Sequence, residues 1–440
     1  MVSLCYILLV LITVYVVWIS LAIVKRSGSL IPVVPIAVMY FWSIFGAWSF
    51  IPLKMSGGSI FYEDILFTVN IDGNYFAMLC YYSLFIVVFS LFLFNYAKKT
   101  ILFKRLATTQ HLGYREPIES LAGSIRYNLV LYIMLGVFVL FSYQDIIAAM
   151  TSNMSAYSLS RFSSTVKNGS LIQFCGDTFS YLAIPILFSN KHEVRKRIVV
   201  VLFAVYFIIN FLLGNRNILL CDLVIVALLL SQLKGLKSVL KIKYVLIAIV
   251  AFSLIQFITF VRGSSINDVL AGQQNFNFWE IFLSATQSSE QYAAQISMYG
   301  VEKYDVPITY GKGVVYFVST FIPQFVGLER PERLYHYYIQ HTVHGTLKMG
   351  VTMHHATAWY LDFGVIGIIL GALLWAYVLV YLYKRKSRFL YLYGAIIFSA
   401  VSIQMIRDNG IESYKGGLIL NTIIPMLVIY FCAKKNYRRI

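Results

Sequence analysis

The sequence predicts an all-α polytopic membrane protein, and three observations predict it. The chain has 440 residues, of which 59% are hydrophobic and 12% charged. A soluble core of that length cannot hide so much apolar surface. The apolar residues fall in runs of roughly 18 or more, enough to cross a ~30 Å hydrocarbon layer as helices. The runs also lack the two-residue alternation of barrel strands, and an isolated strand leaves its backbone unpaired in lipid.

Taken in order, about 11 transmembrane helices are expected, at 4–24, 31–51, 73–97, 127–147, 171–190, 198–213, 217–233, 244–262, 356–383, 389–406 and 416–433. The first follows only Met1-Val2-Ser3, with no basic stretch before it, and reads as a retained helix rather than a cleaved signal. The sixth and seventh meet at Gly214-Asn215-Arg216-Asn217, the weakest boundary. The last three follow the one long polar segment. With no linker between soluble parts, 1–440 is expected to be a single integral membrane domain, with 263–355 as a large loop within it.

Charge sets the orientation. The net charge of +17 comes mostly from short clusters between apolar runs: Lys25-Arg26, Lys98 to Arg126, Lys191 to Arg197, Lys234 to Lys243, Lys384 to Arg388 and Lys434 to Arg439. Such clusters mark cytoplasmic loops rather than a nucleic-acid surface. They place the N-terminus outside, the C-terminus inside, and 263–355 outside. Cys5, Cys80, Cys175, Cys221 and Cys432 all lie in apolar runs, so a disulfide framework is not expected.

The outer loop is expected to be partly helical. Phe278 to Tyr299 is amphipathic, and Val314 to Val326 is too short to span. Pro331 suits the first turn of a further helix. On that helix Arg333, His336, Tyr337, Gln340, His341 and His344 recur at spacings of three and four, hence on one face.

Arginines outside the cytoplasmic clusters are the main candidate site residues: Arg161, Arg216, Arg262, Arg330, Arg333 and Arg407. Orientation does not need them, and an arginine near a span end is a functional hypothesis by default. Guanidinium is shaped to grip phosphate oxygens in pairs, so the set points to a diphosphate at the membrane surface. Pairing with Asp222, Asp268 or Asp408 is the structural alternative. His336, His341 and His344 are candidate bases near neutral pH, with Asp305, Glu329, Glu332 and Asp362 as other choices. Tyr335, Tyr337, Tyr338, Trp359 and Tyr360 are candidate sugar-stacking or interface residues. No HExxH motif or paired carboxylates accompany the histidines, so no metal is expected. There is no nucleotide-binding loop either, so no cofactor is expected.

The Gly214-Asn215-Arg216 tip and the late external loop carry a resemblance. That loop runs into His354-His355-Ala356-Thr357-Ala358-Trp359-Tyr360-Leu361-Asp362-Phe363-Gly364-Val365-Ile366-Gly367. The pattern resembles the Wzy-type O-antigen or oligosaccharide repeat-unit polymerases of bacterial inner membranes. The resemblance implies a GT-C-like membrane fold and a glycosyltransferase that polymerises undecaprenyl-diphosphate-linked oligosaccharides at the periplasmic face. It implies a chain-length regulator protein as partner. It would make Arg216 and Arg262, with Arg330 and Arg333, the residues that bind substrate diphosphate. The 263–355 loop would then close as a lid over Arg216 and Arg262. A lipid-linked oligosaccharide flippase and an O-antigen ligase stay open as alternatives, though a flippase does not call for so large an outer loop.

Overall fold

A computed structural model describes residues 1–55, 67–99, 114–151, 169–212, 216–236, 241, 250, 289–322, 329–342, 352–385, 388–406 and 410–433. Every regular element among them is helical. In order these are α1 (Val2–Ser27), α2 (Val33–Tyr40), a π-helical turn (Phe41–Phe45), α3 (Ala47–Met55), α4 (Gly73–Lys99), α5 (Arg115–Gly123), α6 (Ile125–Thr151), α7 (Gly169–Leu187), α8 (Glu193–Leu212) and α9 (Arg216–Lys234). Then follow α10 (Ser289–Lys303), α11 (Lys312–Ser319), α12 (Leu334–Thr342), α13 (His355–Lys384), α14 (Phe389–Met405), a 3₁₀ turn (Gly410–Glu412), a π-helical stretch (Lys415–Ile423) and α15 (Ile424–Ala433).

Seven stretches among the described residues are long and apolar enough to cross a membrane: Val2–Ser27, Val33–Pro52, Gly73–Tyr96, Ile125–Tyr143, Asn217–Lys234, His355–Lys384 and Gly410–Cys432. Phe174–Leu187 and Phe389–Met405 are shorter apolar helices at two other expected spans. The expected span 198–213 continues a helix whose first turns carry Glu193, Arg195, Lys196 and Arg197. The expected span 244–262 lies outside the described residues.

The reason these helices need lipid is visible on α1. Its buried stripe is Cys5, Leu9, Ile12, Val16, Ile19 and Ile23, at helical spacing. The opposite side exposes Leu4, Leu11, Val14, Trp18 and Leu21, each about half exposed or more. A helix apolar on all sides is stable where the surroundings are also apolar.

The chain divides into two compact units. The first comprises Met1–Lys104, Thr286–Lys384 and Val401–Ile419; the second comprises Arg105–Ala285, Arg385–Ala400 and Leu420–Ile440. In the second, Tyr127 donates to the Leu182 carbonyl (2.7 Å) and Tyr393 to the Tyr181 carbonyl (2.5 Å). Gly176 leaves room for the Phe138 ring. Glu119 takes hydrogen bonds from the Ser189 hydroxyl and the Asn190 and Lys191 amides. Burial alone would raise its carboxyl, but those donors hold it below its ordinary range.

In the first unit α13 departs from the expected single crossing at 356–383. Phe363 and Gly364 are non-helical, with Gly364 at φ 62 and ψ −148, a conformation essentially restricted to glycine. A Cβ on Gly367 would fall on the Trp359 carbonyl, and one on Gly371 would fall on the Trp359 ring. The rings of His355 and Trp375 lie 4.6 Å apart; in a straight helix twenty residues span about 30 Å. The arm 355–362 therefore doubles back along the helix that follows Gly364. That following part carries the lipid-facing stripe Ile366, Leu370, Leu374, Tyr377 and Tyr381. Hydropathy merges the two because both arms are apolar.

Candidate functional site

The first unit holds the described part of the long polar segment, which consists of α10, α11, α12 and the loops joining them. α10 is fastened first. Ser297 bonds Thr357 (2.9 Å), and Tyr82 of α4 donates to the Gln295 carbonyl (2.9 Å) and contacts Thr357 (3.2 Å). Beyond α10, the chain makes a tight loop in which Asp305 and Tyr310 both have positive φ, 47 and 52. Non-glycine residues take that conformation rarely and at a cost.

What holds the loop is the reversal in α13. Interrupting a helix frees carbonyls that would otherwise accept i+4 amides. Thr309 N–H donates to the Leu361 carbonyl (2.7 Å) and Gly311 N–H to the Asp362 carbonyl (3.1 Å). The Asp362 carboxylate accepts from the Thr309 hydroxyl (2.7 Å) and the Gly313 amide (2.9 Å). Asp362 thereby caps the N-terminus of α11 from a distant point in the chain, satisfying orphan donors and complementing the helix dipole. Gly313 is wedged between Asp362 and Leu334, with no room for a Cβ.

α11 presents Lys312 and Tyr316 to the segment that follows. The Lys312 ammonium lies 4.9 Å from the Tyr337 ring centre, and the Arg333 guanidinium 5.3 Å from that of Tyr316. Arg333 Nε also donates to the Tyr316 hydroxyl. Arg330 donates to the Ile322 carbonyl (3.1 Å). Lys415 sits 5.7 Å from the Phe321 ring centre. Among the described residues Lys312, Arg330 and Arg333 have no carboxylate partner; Lys196 and Glu193, in the other unit, do pair, at 3.8 Å. Aromatic rings and a carbonyl hold these three cations.

α12 buries Leu334, Tyr338 and Thr342 and turns Arg333, His336, Gln340 and His341 outward. The expected shared face is thus the solvated one. His341 Nδ1 contacts the Tyr337 carbonyl (2.7 Å), and their rings lie 4.2 Å apart. Pro331 and Arg333 precede the helix instead of sitting in its first turn; Arg333 contributes the carbonyl that accepts from Tyr337 N–H (3.1 Å). His344 and Arg262 lie outside the described residues, as do Arg161, Arg407, Asp268 and Asp408. Arg216 opens α9 in the second unit, and its side chain lies outside the described atoms. Asp222, one of the acids expected as an arginine partner, is buried and accepts from the Ser180 hydroxyl (2.8 Å).

The adjacent histidines behave otherwise. His354 and His355 are fully buried. His354 Nδ1 accepts from the Ala356 amide (3.1 Å), so Nε2 carries the proton and donates to Ser43 (2.7 Å). His355 Nε2 accepts from the Trp359 indole (3.1 Å), so Nδ1 carries the proton, facing Ser413 (3.3 Å). All four ring nitrogens are committed, and neither ring has a lone pair for a substrate or metal.

Sequence reasoning passed over Lys312 and Tyr310. Lys312 stands in Gly311-Lys312-Gly313, where a search confined to arginine does not stop. Tyr310 is 86% exposed, whereas Tyr338 and Trp359, expected as sugar-stacking or belt residues, are 1% and 5% exposed. Tyr310 thus presents an exposed ring from a backbone of positive φ, two residues before Lys312.

A search of curated proteins and a search of solved structures each give no match to the chain. The profile of the family described as O-antigen polysaccharide polymerase Wzy matches residues 1–439. The protein, a multi-pass membrane chain of apolar helices, belongs to the O-antigen polysaccharide polymerase Wzy family.

Proposed function

We propose that this polymerase joins oligosaccharide repeat units carried on undecaprenyl diphosphate, at the periplasmic face of the inner membrane. In this reading the chain is one membrane domain of eleven crossings, with the N-terminus periplasmic, the C-terminus cytoplasmic and 263–355 as a periplasmic loop. The observation that carries the reading is the set of cations with no carboxylate partner among the described residues, Lys312, Arg330 and Arg333. The positive-inside rule gives no reason for them there.

A hydroxyl of the acceptor unit attacks the anomeric carbon of the donor. The new C–O bond forms as the bond to undecaprenyl diphosphate breaks, and the hydroxyl proton passes to a base. Charge grows on the departing diphosphate, and preorganised guanidinium and ammonium groups stabilise it. Donor and acceptor each carry a diphosphate. Arg330 and Arg333 with Lys312 serve one such group, and Arg216 and Arg262 another. His336, His341 or His344 takes the proton. Tyr310 stacks on a sugar ring. A chain-length regulator protein is the expected membrane partner. The phospho-sugar bond is already activated, so the reaction needs no nucleotide.

The test uses a strain whose only copy carries Arg216→Ala, Arg262→Ala or Arg333→Ala, with membrane levels checked by immunoblot. Each variant should reduce lipopolysaccharide to lipid A core capped with a single repeat unit. A normal long-chain ladder from all three would sink the diphosphate assignment. Repeat units stranded on the cytoplasmic leaflet of a null strain would point to transport instead. Single His→Asn variants at 336, 341 and 344 separate the base candidates, since only the true base should lose more than about a hundredfold in rate.

A further inference from the structure

α11 is turned the wrong way round for a helix that meets water. Its buried side is Gly313, Tyr316 and Ser319. Its outward side is Val315, Val318 and, just past its end, Phe321, which are 60%, 55% and 50% exposed. An amphipathic helix on a soluble surface has the opposite arrangement, with apolar residues in and polar residues out. At 1.5 Å per residue its eight residues reach about 12 Å, well short of the ~30 Å that a crossing needs. The exposed face is therefore not part of a span, and it calls for an apolar cover.

Two observations say what covers it. The first is continuity. The lipid-facing stripe on the long arm of α13 starts at Ile366, two residues after Gly364. A Cβ on Gly364 would lie 3.2 Å from the exposed side chain of Ile308, and a Cβ on Gly311, which precedes α11, would lie 3.2 Å from the Phe363 ring. The exposed face of α11 thus begins beside the end of that stripe. The second observation is charge. Lys312 opens α11, Arg330 donates to the Ile322 carbonyl just beyond it (3.1 Å), and the Lys415 ammonium lies 5.7 Å from the Phe321 ring centre. Cations along the edges of an apolar helix face are the pattern of a helix lying in the headgroup layer of a bilayer, their charged ends reaching phosphates. A second copy docked on the same face would set these cations against their own kind, at a cost.

We propose that α11 is an interfacial helix docked in the phospholipid leaflet at the Gly364 end of the long arm of α13, with Val315, Val318 and Phe321 among the acyl chains and Lys312, Arg330 and Lys415 at the headgroup phosphates. The inference does not depend on which sugar reaction the protein performs, because it concerns the face of α11 opposite the one that carries Tyr316 to Arg333.

The full native chain is placed in nanodiscs of dioleoyl phosphatidylglycerol doped with a phospholipid that carries a diazirine on its acyl chain. After irradiation the adducts are mapped by peptide mass spectrometry. They should fall on Val315, Val318 or Phe321 as well as on Ile366, Leu370 and Leu374, and not on His336 or Gln340 of α12. Depth is then read with single nitroxide labels at 315, 318 and 336 in a chain whose five cysteines are replaced by alanine. Power saturation with oxygen and with a nickel chelate should put 315 and 318 about 5–10 Å below the phosphates and 336 in water. Adducts on the α13 stripe with none on α11 overturn the proposal, and the native chain gives that result even where a labelled variant does not fold. Nickel access at 318 equal to that at 336 also overturns it, because the face then meets water. So does exclusion of both oxygen and nickel at 318, because the face then meets protein.

Discussion

Two nearby stretches of the first unit use similar residues to opposite ends. From Arg330 to Thr342 the chain turns its cations and histidines outward, bonded to rings and carbonyls but to no described carboxylate. From His354 to Asp362 every polar side chain except that of Tyr360 is buried, and each histidine nitrogen has a partner. Burying a polar group is tolerable only when its hydrogen bonds are complete. The complete network is therefore a frame, and the incomplete one is where an external partner has something to gain.

Four variants can break that contrast. The largest effect is expected from Asp362→Ala, which removes the carboxylate serving Thr309 and Gly313 and uncaps α11. Stability should fall by about 2–4 kcal/mol, with loss of long chains because Lys312 and Tyr316 lose their support. An unchanged melting curve with a normal glycan ladder would show that the frame does not depend on this residue. Next comes Arg333→Ala combined with Lys312→Ala. Arg333 is exposed and Lys312 half-buried, so unfolding should shift little, while polymerisation should drop by about tenfold or more. A comparable loss of thermal stability would mean the pair is structural after all.

His354→Ala should do the reverse. Removing two buried hydrogen bonds should cost about 1–3 kcal/mol in unfolding, with activity per folded molecule retained. A specific activity loss at full stability would move His354 from frame to site. The smallest change is expected from Tyr310→Ala. Losing one exposed ring against a sugar is worth about 0.5–1.5 kcal/mol, read as a few-fold rise in KM for the lipid-linked substrate. It should also relieve little strain, since alanine at φ 52 is no more at ease than tyrosine.

The membrane helices were legible because a run of apolar residues has few other fates, and α1, α4 and α6 lie where hydropathy puts them. The reversal within α13 was not. Hydropathy reads both arms as one span, and only the backbone angles of Gly364, with the close approaches at Gly367 and Gly371, reveal the turn. The outward face of α12 was legible from spacing alone, since Arg333, His336, Gln340 and His341 obey the helical period. The identity of its neighbours was not, because Lys312 and Tyr316 come to Arg333 through the Asp362 cap, a contact fifty residues away in sequence. His354 and His355 illustrate the limit best. Their type suggests chemistry, and only their four satisfied nitrogens reveal a structural role.

The reversal at Gly364 also bears on how the protein opens. Thr309, Gly311 and Gly313 donate their amides to a carbonyl or carboxylate of Leu361 or Asp362. Those acceptors sit against a second helical arm, so peeling the loop away strands them in apolar surroundings. The loop, α11 and the short arm of α13 should therefore detach together as one cooperative unit instead of fraying residue by residue. In hydrogen-exchange terms these three amides, two in the loop and one in the first turn of α11, should share a single opening free energy with the amides of 357–362.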